Sequence, residues 1–216
     1  MTAKTKNGLI PPIYPFVGRI EEPGLGLKNS FGSSGPQGIT IHYTADRDIS
    51  RVFRELKKNN LRYHLIIDRD GMVTQTAYLN NAVSHAGNAS WLGVSPNRRH
   101  VAIALVSWGW LTESKEDGSL SSWSGEPVDS LDAEYRKDNI DGKMWWWDKA
   151  TDKQVTMLEH VCLWFIALGI DPQNIAGHDE AALPLGRKYD PGGVLPTSMR
   201  EFRKKLEEKS AMFGSL

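Results

Sequence analysis

The segment Gly177–Gly193, GHDEAALPLGRKYDPGG, gathers His178, Lys188 and Asp190 directly ahead of a Pro-Gly-Gly stop. Far upstream, His42 ends the apolar run GITIH. Two neutral imidazoles and one carboxylate are the donor set of an open, catalytic zinc site, with water in the fourth position. Zinc brings the pKa of such a water down to about 7. Lys188 precedes Asp190 by two residues. In an extended segment both side chains then share one face, where an ammonium can steady a developing oxyanion. Each residue also has an ordinary reading. A histidine closing a strand is commonly a hydrogen-bonded structural residue, an aspartate before Pro-Gly forms turns, and a lysine is usually solvated.

The elements that must position these residues read as an α/β layer fold, a single domain with a central mixed β-sheet flanked by helices. GITIHYTA alternates and is β-branched, which predicts a strand. DISRVFRELKKNN predicts a short helix with Val52, Phe53 and Leu56 inward. RYHLIIDRDGMVTQTAY predicts two strands around an Asp-Arg-Asp-Gly turn, and the nearly continuous apolar HVAIALVSW a buried central strand. TDKQVTMLEHVCLWFIALGI predicts a long helix with Thr151 or Asp152 as N-cap and Gly169 at its end. A last helix starts near Thr197, where Ser198 and Glu201 have capping-box spacing and Met199, Phe202 and Leu206 form the apolar stripe. Residues 1–35, rich in Pro and Gly, read as an irregular arm over the domain, which spans 36–216. Residues 111–141 are polar and poor in core residues, which reads as an insertion or flap.

The chain has 216 residues, with 26 Lys+Arg against 26 Asp+Glu, so nothing points to a nucleic-acid partner. No apolar run reaches a membrane span, and MTAKTKNGLIPPIYPF lacks the apolar core of a secretory signal, so synthesis and folding in a cytoplasm are expected. Cys162 is the only cysteine. It keeps helical spacing with Leu158 and Phe165, as a buried structural thiol would. Three of the eight tryptophans stand together in MWWWD. Exposed, they could bind sugar or peptide; the ordinary reading is a packed aromatic flap.

From Gly38 to Pro196 the chain resembles the zinc-dependent N-acetylmuramoyl-L-alanine amidases of the type-2 amidase and peptidoglycan-recognition family, including T7-type phage lysozymes. The pieces are ITIHYTA, YHLIIDRDGMVTQ, SHAGNASW, HVAIALVSWG, the tryptophan stretch before TDKQ, and GHDEAALPLGRKYDPGG, in the family's order. The resemblance implies His42, His178 and Asp190 as ligands of one zinc ion per chain. It implies Lys188 as the catalytic lysine and Tyr63 as the tyrosine beside the zinc water. His85, and with it Trp91, would contact substrate on the cleft wall. Gly186 and Pro191-Gly192 would turn the chain tightly enough for His178 and Asp190 to reach one ion. Two features depart from the pattern: Ala104 stands where cytoplasmic recycling members carry a glutamate, and the His178–Lys188 stretch is slightly long.

The activity so implied is cleavage of the amide between N-acetylmuramic acid and L-alanine in peptidoglycan. A phage endolysin is the expected role, monomeric, made in the host cytoplasm and reaching the wall after holin-type release. The alternatives are a cytoplasmic recycling amidase acting on soluble muropeptides and a non-catalytic peptidoglycan-binding protein.

Overall fold

The computed structural model describes residues 11, 13–21, 31, 35–138 and 140–213. Of the arm expected at 1–35, residues 1–10, 12, 22–30 and 32–34 lie outside the described residues. In chain order the main elements are β1 (Arg19–Ile20), β2 (Gly38–Tyr43), α1 (Ile49–Lys58), β3 (Leu65–Ile67), β4 (Val73–Gln75), α2 (Pro96–Arg99) and β5 (His100–Leu105). There follow β6 (Trp110–Glu113), β7 (Leu120–Ser121), β8 (Pro127–Val128), β9 (Ala133–Lys137), β10 (Met144–Asp148), α3 (Asp152–Ala167), β11 (Ile175–Gly177), α4 (His178–Ala181) and α5 (Met199–Phe213).

The main sheet has the order β1-β4-β3-β5-β2-β11 and is mixed: β3 and β4 are antiparallel, and the other pairs are parallel. As expected, β5 is buried along its length and lies inside the sheet. Alternation sends Ile39, Ile41, Val101, Ile103 and Leu105 to one face, where Leu158, Cys162 and Phe165 of α3 and Phe202 and Leu206 of α5 cover them. Each fully buried Leu, Ile or Phe there contributes about 1.5–3 kcal/mol. On the other face Ile66, Ala104 and Val106 meet Val52 and Leu56 of α1. His42 stands in register with Ala104 and so shares this second face.

Local signals place the helices. The Asp48 carboxylate caps α1 by accepting from the Ser50 and Arg51 amides. Thr151 and Gln154 form a capping box at the start of α3. The Gln154 amide also donates to the carbonyls of Ile67 and Val106, tying α3 to the ends of β3 and β5. Ser198 and Glu201 exchange the bonds expected of them ahead of α5. Cys162 is fully buried, and burial pushes its thiol pKa well up.

Two expectations need correction. The arm is not wholly irregular: β1 pairs with β4, and Tyr14 is buried with its ring edge against Trp164. The polar stretch 111–141 is not a flap poor in core residues. With β10 it builds an antiparallel sheet of order β8-β7-β6-β10-β9. Its apolar residues are sparse because its strands are short, yet they converge: Leu111, Leu120, Val128 and Ala133 pack with Trp108 and Trp146.

A buried carboxylate joins the two sheets. Asp148 ends β10 and is fully buried. Arg47, beyond β2, grips it with Nε and Nη2 at 3.0 and 2.6 Å, and Arg69, from the β3–β4 turn, reaches it at 3.2 Å. The Trp108 amide donates to it at 2.7 Å. Removing one side of a buried ion pair strands the other, at a cost of about 3–5 kcal/mol. Asp148→Ala should therefore destabilise the protein by that amount in urea unfolding. A loss below about 1 kcal/mol would show that the carboxylate does not join the sheets.

Two histidines act as neutral struts. His64 accepts from the Ala102 amide at 2.8 Å and donates to the Asn81 carbonyl at 2.8 Å. His100 meets the Thr40 hydroxyl at 3.0 Å. Burial lowers the pKa of each to about 4. Between pH 6.5 and 4 the unfolded chain thus binds protons that the folded chain refuses. Stability is full above pH 6.5 and falls as the pH drops toward 4. For His64 the loss is on the order of 3 kcal/mol. Urea unfolding at pH 7 and 4.5 should show a drop in stability between the two that is smaller by about 2–3 kcal/mol in His64→Asn; an unchanged drop would refute this role for His64.

Candidate metal centre

β2 and β11 run parallel with Ile41 opposite Gly177. The next residue along each chain is a histidine, His42 still in β2 and His178 opening α4, so the two stand side by side at the carboxyl end of the sheet, where ligands of open α/β sheets bind. Their ring centres are 4.6 Å apart. After α4 the chain loops back through Gly186, which adopts φ +85°, to Asp190. The Asp179 amide donates to the Asp190 carbonyl at 2.7 Å and pins the return. Glu180 accepts from the Gly177 amide and is clamped by Arg203 of α5 at 2.7 and 2.9 Å, which fixes the junction carrying His178.

The result is the three-residue group expected. The ligand atoms of His42, His178 and Asp190 lie within 4.8 Å of one another. Asp190 Oδ2 is 2.7 Å from His42 Nδ1 and 2.9 Å from His178 Nδ1.

Proton accounting tests whether a cation fits. His178 Nε2 faces the Ala86 carbonyl at 2.9 Å. A carbonyl only accepts, so Nε2 carries a proton, and Nδ1 is the atom whose lone pair is open to a cation facing Asp190. His85 Nε2 likewise faces the Pro96 carbonyl at 3.1 Å, and His85 Nδ1 lies 2.9 Å from His42 Nε2. The neutral His85 then accepts from His42 Nε2–H, which leaves the lone pair of His42 on Nδ1. Burial first, opposed by the contact with Asp190 and aided by the charge of Lys188, lowers the His42 pKa to about 4, so the ring is neutral near pH 7. Two imidazole Nδ1 atoms thus converge on one carboxylate oxygen, at 2.7 and 2.9 Å. A divalent cation satisfies all three donors at once.

The electrostatics agree with an anionic ligand among neutral rings. Burial acts to raise the Asp190 pKa, but the two imidazoles beside it, His178 and then His42, outweigh it and hold the carboxyl far below its ordinary value, in the anionic form a cation would need. Asp179 behaves oppositely: burial, then the charge of Glu180, pushes its carboxyl well up. Tyr63 lies on the second face of the sheet with its ring centre 5.0 Å from that of His42. Burial, then the Asp190 charge, raises its pKa, so the phenol keeps its proton and remains a donor. Lys188 is exposed, and its charge is close enough to be felt by His42.

The structure gives two residues partners that differ from those expected. His85 is 6% exposed and orients His42 as described, which makes it a support for a ligand. The indole of Trp91 donates to the Gln173 carbonyl at 2.9 Å, and Arg203 lies 5.2 Å from its ring centre. It packs on Ala86, Ala89, Ala176 and Ala181, behind the ligand strand. Sequence reasoning missed the carbonyls of Ala86 and Pro96 as tautomer setters, and missed Glu180–Arg203. The first pair carries no side-chain signal, and the second joins residues 23 apart.

A family model described as N-acetylmuramoyl-L-alanine amidase matches residues 32–193. No curated protein sequence matches the chain. Among solved structures, a selenomethionine AmpD derivative superposes with a TM-score of 0.56 at 18% identity, over 91% of this chain and 97% of that one. The N-acetylmuramyl-L-alanine amidase AmiD from E. coli, in complex with anhydro-N-acetylmuramic acid-L-Ala-D-gamma-Glu-L-Lys, gives 0.57 at 20% identity, over 80% of this chain and 57% of that one. The endolysin LysCS from Clostridium intestinale URNW gives 0.50 at 18% identity, over 88% and 97%. At these identities the superpositions establish the fold. The family match runs through His42, Tyr63, His178, Lys188 and Asp190 and takes in most of the 216 residues, and on it the chain belongs to the N-acetylmuramoyl-L-alanine amidase family.

Proposed function

We propose that the chain is a zinc amidase acting on polymeric peptidoglycan, in the role of a phage endolysin, cutting between the lactyl group of N-acetylmuramic acid and L-alanine. The observation that carries the metal is the convergence of His42 Nδ1, His178 Nδ1 and one Asp190 oxygen, all within 4.8 Å of one another. When bound there, zinc supplies Lewis acidity and an acidified water. His42, His178 and Asp190 would hold it. Lys188, exposed and near enough for its charge to be felt by His42, would supply the positive charge that steadies the oxyanion as the amide is attacked. Tyr63 keeps its proton and can donate to water or to the substrate carbonyl.

The endolysin role rests on what stands beside the ligands. Ala104 lies in register with His42, inside the apolar group under α1, and offers no base where the recycling relatives are expected to carry glutamate. Tyr63 and Lys188 are then the groups left to assist. With this role goes synthesis in the host cytoplasm and release to the wall through a holin-type lesion, as a monomer. Among the described residues no helix is long and apolar enough to cross a membrane.

Zinc content and turnover, measured together, separate the roles. Asp190→Ala should lose the metal. Lys188→Ala should keep it and lose about 10²–10³ in rate, the value of one oxyanion donor. Tyr63→Phe should keep the metal with a smaller loss. Equal metal loss in the Asp190 and Lys188 variants would show that Lys188 is misassigned.

Digestion of intact sacculi, with mass analysis of the products, tests the substrate. Free stem peptides and uncut glycan chains are expected. A strong preference for a soluble anhydro-muropeptide, with sacculi untouched, would replace the endolysin by a recycling enzyme and leave the amidase chemistry standing.

A further inference from the structure

Arg187 spends its bonds on backbone carbonyls. Its Nε donates to the Leu183 carbonyl at 3.0 Å, and its Nη2 donates to the carbonyls of Ala86 and Asn88 at 3.0 and 2.7 Å. We infer that Arg187 is a positioning residue for the metal centre, one that fixes both histidine ligands relative to Asp190; the inference rests on the metal reading above.

Ala86 is the junction. Its carbonyl takes the Nε2 proton of His178 at 2.9 Å on one lone pair and Arg187 Nη2 at 3.0 Å on the other. The residue before it is His85, whose Nδ1 lies 2.9 Å from Nε2 of His42. Residues 85 and 86 therefore orient the two imidazoles from behind. Arg187 stands three residues before Asp190, on the loop that brings the carboxylate in. One guanidinium thus joins the segment that orients the histidines to the segment that carries the third ligand.

The local backbone calls for a cation of this shape. Gly87 takes φ +59°, a left-handed conformation that a side chain rarely adopts. The turn there sends the carbonyls on either side of it, those of Ala86 and Asn88, to one nitrogen. Two carbonyl dipoles meeting in a half-buried place repel, and a positive charge between them relieves the repulsion. A guanidinium also holds its donors in a rigid fork, which an ammonium does not. Asn97 grips the same loop from α2. Its Oδ1 accepts from the His85 and Ala86 amides at 2.9 and 2.8 Å, and its Nδ2 donates to the Gly87 carbonyl at 2.7 Å. None of those bonds touches the Ala86 carbonyl, which leaves its direction to Arg187. Without the guanidinium that carbonyl is free to swing, and the His178 ring with it.

Two measurements on the whole protein test the assignment. The first is zinc affinity, read by competition with a chromophoric chelator. Arg187→Met keeps much of the side chain's length and removes the fork. It should bind zinc about 10- to 100-fold more weakly, the usual effect of losing a group that orients a ligand. Arg187→Lys keeps the charge and can keep one bond, so it should recover part of the loss. The second is made on the metal-free protein: solvent exchange of the His178 Nε2 proton, followed by NMR beside the amide of Cys162, which is buried in α3 and reports opening of the whole fold. Arg187→Met should speed exchange at His178 at least about tenfold more than at Cys162. Equal acceleration of both protons would reduce Arg187 to a stabiliser of the fold and overturn the inference. So would a folded Arg187→Met protein with wild-type zinc affinity and wild-type exchange at His178. If Arg187→Met does not fold, Arg187→Lys decides, and wild-type values for both measurements in that variant would overturn it. If the wild-type protein binds no zinc, the metal reading fails, and the exchange comparison alone decides the role of Arg187.

Discussion

One carboxylate oxygen facing two imidazole nitrogens organises this end of the molecule. Asp190 Oδ2 is within 2.9 Å of both. Carbonyls of Ala86 and Pro96 take the protons on the far side of the rings, the second through His85. Ligand atoms so gathered repel unless a positive charge lies among them, and in a poorly solvated setting that repulsion is costly. The constraint reaches outward. β11 must keep its register on β2, the return loop must be pinned at Asp179, and α5 must hold Glu180, or the three atoms do not meet.

The second sheet obeys a different electrostatic rule. Asp148 is buried, and two arginines from loops of the first sheet close on it. Arg47 and Arg69 also reach Asp132, so two cations and two anions alternate across the joint. Burying such a group yields little net stability against an apolar substitute. Its value lies in orientation, because a fork-shaped guanidinium accepts few geometries. The second sheet therefore meets the main domain in one arrangement.

The sequence carried local signals well. The capping pair Thr151 and Gln154, the stripe of α5 and the unbroken apolar run of β5 each rest on neighbours in the chain, and each was legible. The grouping of His42, His178 and Asp190 was legible by residue type and by the family pattern, which includes the order of pieces around them. Far less legible was anything that depends on partners brought from a distance. β7 and β8 are two residues each, too short to show a period, and their apolar residues form a core only after the sheet has closed. His85 resembled a wall residue because nothing near it in the chain reveals the nitrogen of His42, 43 positions away. Asp148 closed a tryptophan run and gave no hint of arginines 101 and 79 residues earlier.

The short strand β1 has a consequence for how molecules of this protein behave toward one another. Its neighbourhood is laid along β4, with the Gly18 amide on the Val73 carbonyl and the Glu21 amide on the Gln75 carbonyl, each at 2.9 Å. Without that strip, β4 would be an open border of the sheet, its backbone groups free to pair with the same border of another molecule. The strip itself carries Arg19 and Glu21, which form an ion pair and make a charged, poorly sticking margin. Loss of the strip would thus spare the strands that carry His42 and His178 and act on solubility, by converting a guarded margin into an adhesive one.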